Sequence, residues 1–402
     1  MRASAFLYPW DVVGDPDAAR RIADLGVEQV TLASAYHSTR ALTPRHPRHR
    51  IVTAEHAAVL YPMDEDRWAG QELRPYAAGA WAPGDAYGEA AAALADAGLD
   101  VHSWVVLAHN SRLGTERPDT SVVNAYGDRY PWAPCIARPA VAAYLVSLAA
   151  EAAVRPGAGG TELESCGWYG LAHLHAHDKI AGVGLGDAAQ YLMSLCFCDV
   201  CAAGYAELGV PASVLAGVVR GALGPVWSGS ASGAEGGSAA GSAAIDKLLG
   251  AELAAVTFAW RGGVARGLQE SVVAAVRAAG GPGFQVLLHA DPSLYRTGAN
   301  VGVDPDHILG VADGVVLPCT GGGAGLLLPA FTSSPSRTAS SVLAANFTVV
   351  SGMGGVPGVL GEDVEEAVGL GATGVRLYHA GLASAGDLAA CVAGLSSIAG
   401  RA

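Results

Sequence analysis

The sequence predicts a single α/β domain over residues 1–402, a (β/α)8 TIM barrel with extended loops. Three observations predict it: eight short apolar β-like runs, alanine-rich helical stretches between them, and a composition that is 51% hydrophobic and only 15% charged. Alternating β and α elements imply parallel strands, and eight such units close a barrel. An open doubly wound sheet is the alternative, but no GxGxxG follows the first run, which counts against it.

Most of the eight runs lead into a polar or glycine-rich loop and then into a helical stretch. The predicted strands are 4–8, 29–33, 101–108, 161–165, 284–289, 313–318, 347–351 and 374–378. Apolar period and alanine content predict helices at 17–25, 88–97, 140–153, 245–279 and 361–370.

Two connections, from strand 2 to strand 3 and from strand 4 to strand 5, are far longer than ordinary βα loops. The second contains the tract SGSASGAEGGSAAGSAA at residues 228–244. A Gly/Ser/Ala tract buries too little surface to order itself, so we interpret it as a flexible insertion in a surface loop. Deleting residues 229–243 is then expected to leave the fold and activity nearly unchanged.

Charge and hydropathy limit the partners. The 37 acidic residues outnumber the 24 basic ones, which argues against nucleic acids and anionic membranes and favours neutral or cationic small molecules. The N-terminus has no signal-peptide pattern, and the long uncharged stretches are interrupted by Gly, Pro, Ser and Thr. We therefore expect a cytoplasmic protein whose cysteines are reduced.

The predicted strands end in polar and aromatic side chains, where a TIM barrel carries its active site. The alternative interpretation is that they are ordinary loop residues. The candidate substrate-binding residues are Tyr8, Trp10, Asp11, Tyr36, His37, His109, Asn110, Trp168, His173, His289, Tyr378 and His379.

The fourth predicted strand, TELES at 161–165, carries two glutamates two positions apart. Because strand side chains alternate, Glu162 and Glu164 share one face, and both point into the barrel lumen if Leu163 packs against the helices. A buried carboxylate needs a partner or a shifted pKa. Glu164 is the candidate general acid/base, and Glu162 is expected to hold or tune it. A polar network that only braces the barrel is the alternative.

Cleavage of a glycosidic bond needs two carboxyl groups that flank the bond. Glu162 and Glu164 lie ~6.6 Å apart along one line and would flank a sugar ring poorly. Asp291 after strand 5, or Asp11 after strand 1, could supply the opposing carboxylate. The expected end of strand 7, SGMGGVPG, carries no acid.

Three alternate histidines, His173, His175 and His177, follow strand 4 together with Asp178. They could bind a catalytic metal, form hydrogen bonds to substrate, or lie in a solvated loop. The pattern leaves all three interpretations open.

The segment LCFCDVC places Cys196, Cys198 and Cys201 in a C-x-C-x2-C pattern. Three thiolates at this spacing can converge on one ion, and soft thiolates select zinc. A closed structural site needs a fourth ligand, for which Cys135 is the first choice and Cys166 the second. The alternative is three packed cysteines without metal.

The sequence resembles a group of bacterial hypothetical glycosyl hydrolases with a (β/α)8 catalytic domain. The resemblance spans nearly the whole chain and depends on YPWD, AYHS, HNSRLG, CIARPAVAAYL, ELESCGWYGLAHLHAHDK, CFCDVCAAGYAELGV and RLYHAGLA. The C-x-C-x2-C segment with a distant upstream cysteine also looks like the structural zinc site of zinc-bearing β-galactosidases. The resemblance implies a carbohydrate-active enzyme with a structural zinc.

Three hypotheses follow. The first is a glycoside hydrolase, or an enzyme that acts on a sugar-like cyclitol, with Glu164, Glu162 and Asp291 as candidate catalytic carboxylates. The second is a metal-dependent lyase or isomerase that uses the histidines, and the third is a barrel that binds sugars without turnover. Chelation separates the first two, because a catalytic metal affects activity and a structural metal affects the fold.

Overall fold

A computed structural model describes residues 1–172, 179–230 and 238–399. The barrel strands are β1 Arg2–Leu7, β2 Gln29–Tyr36, β3 Asp100–Val106, β4 Ala158–Glu164, β5 Gln285–Asp291, β6 Gly314–Pro318, β7 Val342–Thr348 and β8 Gly374–Tyr378. Each strand pairs in parallel with the next, and β8 pairs in parallel with β1. The sheet is therefore a closed eight-stranded barrel, and the predicted fold class is confirmed.

Strand β7 begins five residues before its predicted position. Val342–Thr348 pairs with β6 through Ala344 and with β8 through Asn346. The predicted strand, 347–351, instead included Val349 and Val350. These two residues follow β7 and pack into the hydrophobic layer outside the barrel. The ladder hydrogen bonds, not local β propensity, set the strand limits here.

Helices surround the barrel. They are α1 Ala18–Ala23, α2 Glu65–Trp68, α3 Ala86–Asp96, α4 Ser111–Glu116, α5 Pro139–Ala153, α6 Asp187–Met193, α7 Asp199–Glu207, α8 Ala212–Trp227, α9 Ser238–Leu249, α10 Ala251–Gly280, α11 Pro305–Val311, α12 Gly323–Thr332, α13 Leu360–Gly369 and α14 Ala385–Ala399. The helix predicted over 245–279 is divided at Gly250, whose φ of 78° is unfavourable for any residue with a side chain.

The Gly/Ser/Ala tract differs in part from the expected flexible loop. Helix α9 begins at Ser238, inside the tract, and Ile245 and Leu249 anchor it in the core. Gly241 lies so close to Tyr295 that a Cβ would sit 2.5 Å from its ring. The alanines favour a helix once these anchors are buried, so deleting residues 229–243 would also remove part of a packed helix.

The strands separate an outer core from the lumen. Leu163 of β4 is fully buried in the layer between strands and helices. The lumen is apolar at one level, where Leu287, Val316 and Ala344 cluster. Nearer the carboxyl ends of the strands it holds a second cluster that includes Phe6 and Trp104. Side-chain alternation therefore places the even-numbered residues of β4 inside the barrel, as expected.

Extra elements lie between the barrel units. The β2 to β3 connection forms an antiparallel hairpin of Thr39–Leu42 and Ile51–Ala54. The chain after β3 forms a second hairpin of Ser121–Val123 and Arg129–Pro134. The first hairpin lies in the long β2–β3 connection, whereas the long β4–β5 connection holds helices α6 to α10.

Among the described helices, no single one combines the length and apolar composition needed to cross a bilayer. The bent pair α7 and α8, at 101° to each other, meets the criterion only jointly and only by length and composition.

Candidate active site

Glu164 is the last residue of β4 and lies at the mouth of the lumen. It is 4% exposed, and the indole nitrogen of Trp104 donates a 2.8 Å hydrogen bond to its Oε2 atom. Burial raises the pKa of Glu164 to about 7, and the Trp104 hydrogen bond only partly opposes that rise. A carboxyl group with this pKa can donate and accept a proton near neutral pH.

Aromatic side chains from several strands surround this carboxyl group. Trp104 packs edge-on against Phe6 and Tyr36, at centroid distances of 4.8 and 4.6 Å. Tyr8 donates a 2.9 Å hydrogen bond to the Tyr36 hydroxyl and stacks on Trp10 at 4.6 Å. The low-dielectric wall formed by these rings explains why Glu164 favours its neutral form.

Glu162 lies one layer deeper and is fully buried. The Arg376 Nε atom of β8 donates a 2.6 Å hydrogen bond to Glu162 Oε1. Burial raises the pKa of Glu162, and the Arg376 guanidinium acts in the opposite direction. Glu162 is thus part of a buried ion pair that crosses the lumen beneath Glu164, which is the bracing role considered for it above.

His289 of β5 completes this buried layer. Its Nε2 atom is 3.9 Å from Glu162 Oε2. Burial, followed by the nearby Arg376 charge, lowers the pKa of His289 to about 3, so its imidazole is neutral at physiological pH. His289 therefore packs beside the ion pair and adds no charge to it.

Replacing Arg376 with methionine should lower the free energy of unfolding by about 3–5 kcal/mol, because Glu162 would remain buried without its partner. Urea denaturation at pH 7 measures this loss. The double variant Glu162→Gln, Arg376→Met removes both charges and should recover much of the stability. A single variant as stable as the wild type would show that Glu162 does not depend on Arg376.

Two non-glycine residues adopt positive φ angles at this end of the barrel. Ser165, directly after β4, has φ 56°, and His379, directly after β8, has φ 27°. Each such conformation costs about 1–3 kcal/mol, and such residues cluster at functional sites. The strain therefore coincides with the ends of the strands that carry Glu164 and Tyr378.

A cleft of about 720 Å³ opens above the lumen. It is large enough for a sugar-sized ligand. Its lining residues come from the β2–β3 hairpin and from the loops after β3, β4, β5 and β8, and they are His37, Ser38, Thr39, Arg40, Thr53, Ala54, Glu55, His109, Glu164, Tyr169, Ala172, Thr297, Gly298, Ala299 and Tyr378. Of the predicted substrate-binding residues, His37, His109 and Tyr378 line the cleft, and His109 stacks on Tyr169 at 4.5 Å.

The predicted opposing carboxylates lie elsewhere. Asp291 accepts a 2.7 Å hydrogen bond from the Ser293 amide and lies 3.6 Å from Arg296. Asp11 accepts a 2.8 Å hydrogen bond from the Tyr8 amide and lines a separate cavity of about 250 Å³ between α1 and α14. Neither residue is among those that line the cleft.

Other predicted residues have structural contacts. Asn110 caps α4 by accepting a 3.0 Å hydrogen bond from the Leu113 amide. The Trp168 indole donates to the Arg261 carbonyl at 2.9 Å, and its ring lies under the Arg261 guanidinium. The His379 ring lies against the Tyr378 ring, with the ring planes at 39° and the centroids 3.6 Å apart. His173 and the other alternate histidines fall outside the described residues.

Sequence reasoning missed three contributors to this region: Trp104, Arg376 and Glu55. Trp104 and Arg376 lie within predicted strands, where the period-2 pattern that located Glu164 could also have assigned them to the lumen. Glu55 follows a hairpin of the β2–β3 connection that is not among the predicted elements.

A second site lies beside the barrel. The sulfur atoms of Cys135, Cys196, Cys198 and Cys201 are within 4.8 Å of one another, and all four residues are buried. Three of the sulfur pairs are 3.6 to 3.7 Å apart. A tetrahedral zinc with Zn–S bonds of about 2.3 Å requires sulfur separations of about 3.8 Å, so the arrangement fits.

Backbone groups support this cysteine cluster. The Val123 and Cys198 amides donate 3.5 Å hydrogen bonds to the Cys196 sulfur. Cys135 follows the hairpin after β3, whereas the other three cysteines lie in the α6–α7 region after β4. A metal here would join two loops of the barrel mouth. Cys166, the second choice for the fourth ligand, is not part of the cluster.

The sequence matches no protein-family model, and the curated proteins contain no significant relative. The resemblance to a bacterial hydrolase family is therefore not supported by a sequence match.

Solved structures show the same fold. One is α-L-fucosidase isoenzyme 2 from Paenibacillus thiaminolyticus, with TM-score 0.55 and 11% identity over 99% of this chain and 49% of that one. A second is a cold-adapted β-galactosidase from Rahnella sp. R3, with TM-score 0.56 and 11% identity over 100% and 56%. A third is the PgaB glycoside hydrolase domain from Bordetella bronchiseptica, with TM-score 0.54 and 14% identity over 94% and 93%.

At these identities the likeness establishes the fold, a TIM barrel of the kind found in glycoside hydrolases. The chain spans about half the length of the fucosidase and of the β-galactosidase. Activity and substrate must therefore be argued from the site itself.

Proposed function

We propose that this protein is a glycoside hydrolase in which Glu164 donates a proton to the oxygen of the scissile glycosidic bond. The observation that carries the proposal is the placement of Glu164, a buried carboxyl group with a pKa near neutrality on the wall of a sugar-sized cleft. Protonating the leaving oxygen removes the cost of expelling an alkoxide. The glycoside hydrolases among the structural neighbours support the same class of reaction.

The surroundings of Glu164 suit this role. Trp104 holds the carboxyl group through one oxygen, which limits its orientation at the cleft. Tyr169 and Tyr378 contribute ring surfaces to the cleft wall, and aromatic rings pack well against the apolar faces of sugars. Beneath Glu164, the buried Glu162–Arg376 ion pair fixes the layer of lumen side chains that supports the site.

We also propose that the four-cysteine cluster binds a structural zinc. All-thiolate sites saturate the metal and leave no open position for chemistry. Among the described residues this cluster is the sole group of three or more potential metal ligands, and it lies apart from the residues that line the cleft. Its contribution would be to hold two loops together.

The test is hydrolysis of a panel of 4-nitrophenyl glycosides, with and without a chelator. Release of nitrophenol from one or more glycosides is expected. Brief chelator treatment that leaves the fold intact should not abolish it. Activity that disappears while the fold persists would favour a catalytic metal instead, and binding without turnover would favour a sugar-binding barrel.

A further inference from the structure

The cleft contains a second carboxylate that the strand-end pattern does not predict. Among the described residues that line the cleft, Glu55 and Glu164 are the two acidic ones. The glutamate and aspartates considered earlier are tied to other groups: Glu162 to Arg376, Asp291 to the Ser293 amide, and Asp11 to the Tyr8 amide. Two carboxyl groups in one cleft are the minimum that glycosidic bond cleavage requires.

The hairpin of the β2–β3 connection places Glu55 at the cleft. Thr39 pairs with Ala54 in its antiparallel register, so Glu55 directly follows the end of the second strand. The hairpin is tied to the segment after β8, because Arg45 donates hydrogen bonds of 2.5 and 3.1 Å to the carbonyls of Ala383 and Ala380. Glu55 is therefore carried on an anchored element.

The surroundings of the two carboxyl groups differ sharply. Glu164 is buried among aromatic rings, whereas Glu55 is exposed to solvent and has no side-chain hydrogen bond or ion pair within the described ranges. Exposure to solvent gives the Glu55 carboxyl group access to water. A pair of carboxyl groups in contrasting environments is the arrangement that separates an acid from a base.

We propose that Glu55 is the general base that activates the attacking water in the cleft it shares with Glu164. This inference depends on the proposed glycoside hydrolase function. Glu164 gives its proton to the glycosidic oxygen as the bond to the anomeric carbon breaks, and the bonding electron pair stays on that oxygen. The water oxygen forms the new bond to the anomeric carbon, and one water proton passes to Glu55. The sugar is released with inverted anomeric configuration.

The test compares Glu55→Gln with the matched control Glu65→Gln. Glu65 lies in the same connection and is exposed, and the one ion pair it forms with a described residue is to the exposed Arg74. Glu55→Gln should lower kcat by ~10²-fold or more, because the amide cannot take a proton from the attacking water. Its melting temperature should not change, and Glu65→Gln should behave like the wild type.

Two further readouts identify the role. In Glu55→Ala, azide should replace the activated water and yield a glycosyl azide, and the first product of the wild type should be the inverted anomer by ¹H NMR. Retained configuration would overturn the base role. Full activity of Glu55→Gln alongside an inactive Glu164→Gln would overturn this inference and leave the proposed function intact. A wild type without hydrolytic activity would overturn both.

Discussion

Replacing Glu164 with glutamine should lower kcat by ~10²-fold or more, the usual scale for the loss of positioned proton transfer. The amide keeps the size of the side chain and much of its hydrogen bonding to Trp104 but carries no transferable proton. In the wild type the acid must be protonated, so the rate should fall as the pH rises through about 7. Initial rates measured from pH 4 to 10 should show this alkaline limb in the wild type and a flat one in the variant.

The variant also separates catalysis from bracing. If Glu164 acts as the acid, the melting temperature and the affinity for product sugars should change little in Glu164→Gln. An unfolded variant would instead assign Glu164 to a structural network. A fully active variant would place the proton donor at another residue.

Replacing Cys198 with serine should abolish zinc binding and lower the melting temperature substantially. A metal that binds only the folded arrangement of the four sulfurs would contribute its binding free energy to folding. The cluster joins the hairpin after β3 to α7, and losing the metal would free both loops from each other. Elemental analysis of protein purified without chelator should give one zinc per chain for the wild type.

Cys166 provides the matched control for this experiment. It is buried like Cys198 but lies outside the cluster, so Cys166→Ser should keep its zinc. A chelator should lower the melting temperature of the wild type and of Cys166→Ser, and should have little effect on Cys198→Ser. Wild-type protein that contains no zinc would contradict the assignment.

Local pattern was sufficient to predict the barrel and the position of Glu164 on the lumen face of β4. Alternating β and α runs predict the eight strands, and the period-2 alternation in TELES predicts that Glu162 and Glu164 share the lumen face. The short spacing of Cys196, Cys198 and Cys201 likewise predicts that their sulfurs converge. These features depend on neighbours within a few residues, where geometry follows from the type of element.

The remaining features depend on contacts between distant parts of the chain. The partner of Glu162 is Arg376, more than two hundred residues away, and these β4 and β8 side chains meet across the lumen only because the barrel closes. Glu55 reaches the cleft because a hairpin folds over the mouth. Helix α9 forms inside a tract of loop-like composition because Ile245 and Leu249 are buried. Tertiary packing overrides local composition in each case.

Following one glycoside by ¹H NMR with wild-type protein and with Glu164→Gln tests directly whether Glu164 drives hydrolysis of a glycosidic bond. With the wild type, we expect the anomeric proton signal of the glycoside to disappear and that of the free sugar to appear, whereas the variant, equally folded, should be slower by ~10²-fold or more. Equal rates for the two proteins, or a glycoside that the wild type binds and leaves intact, would contradict this role of Glu164.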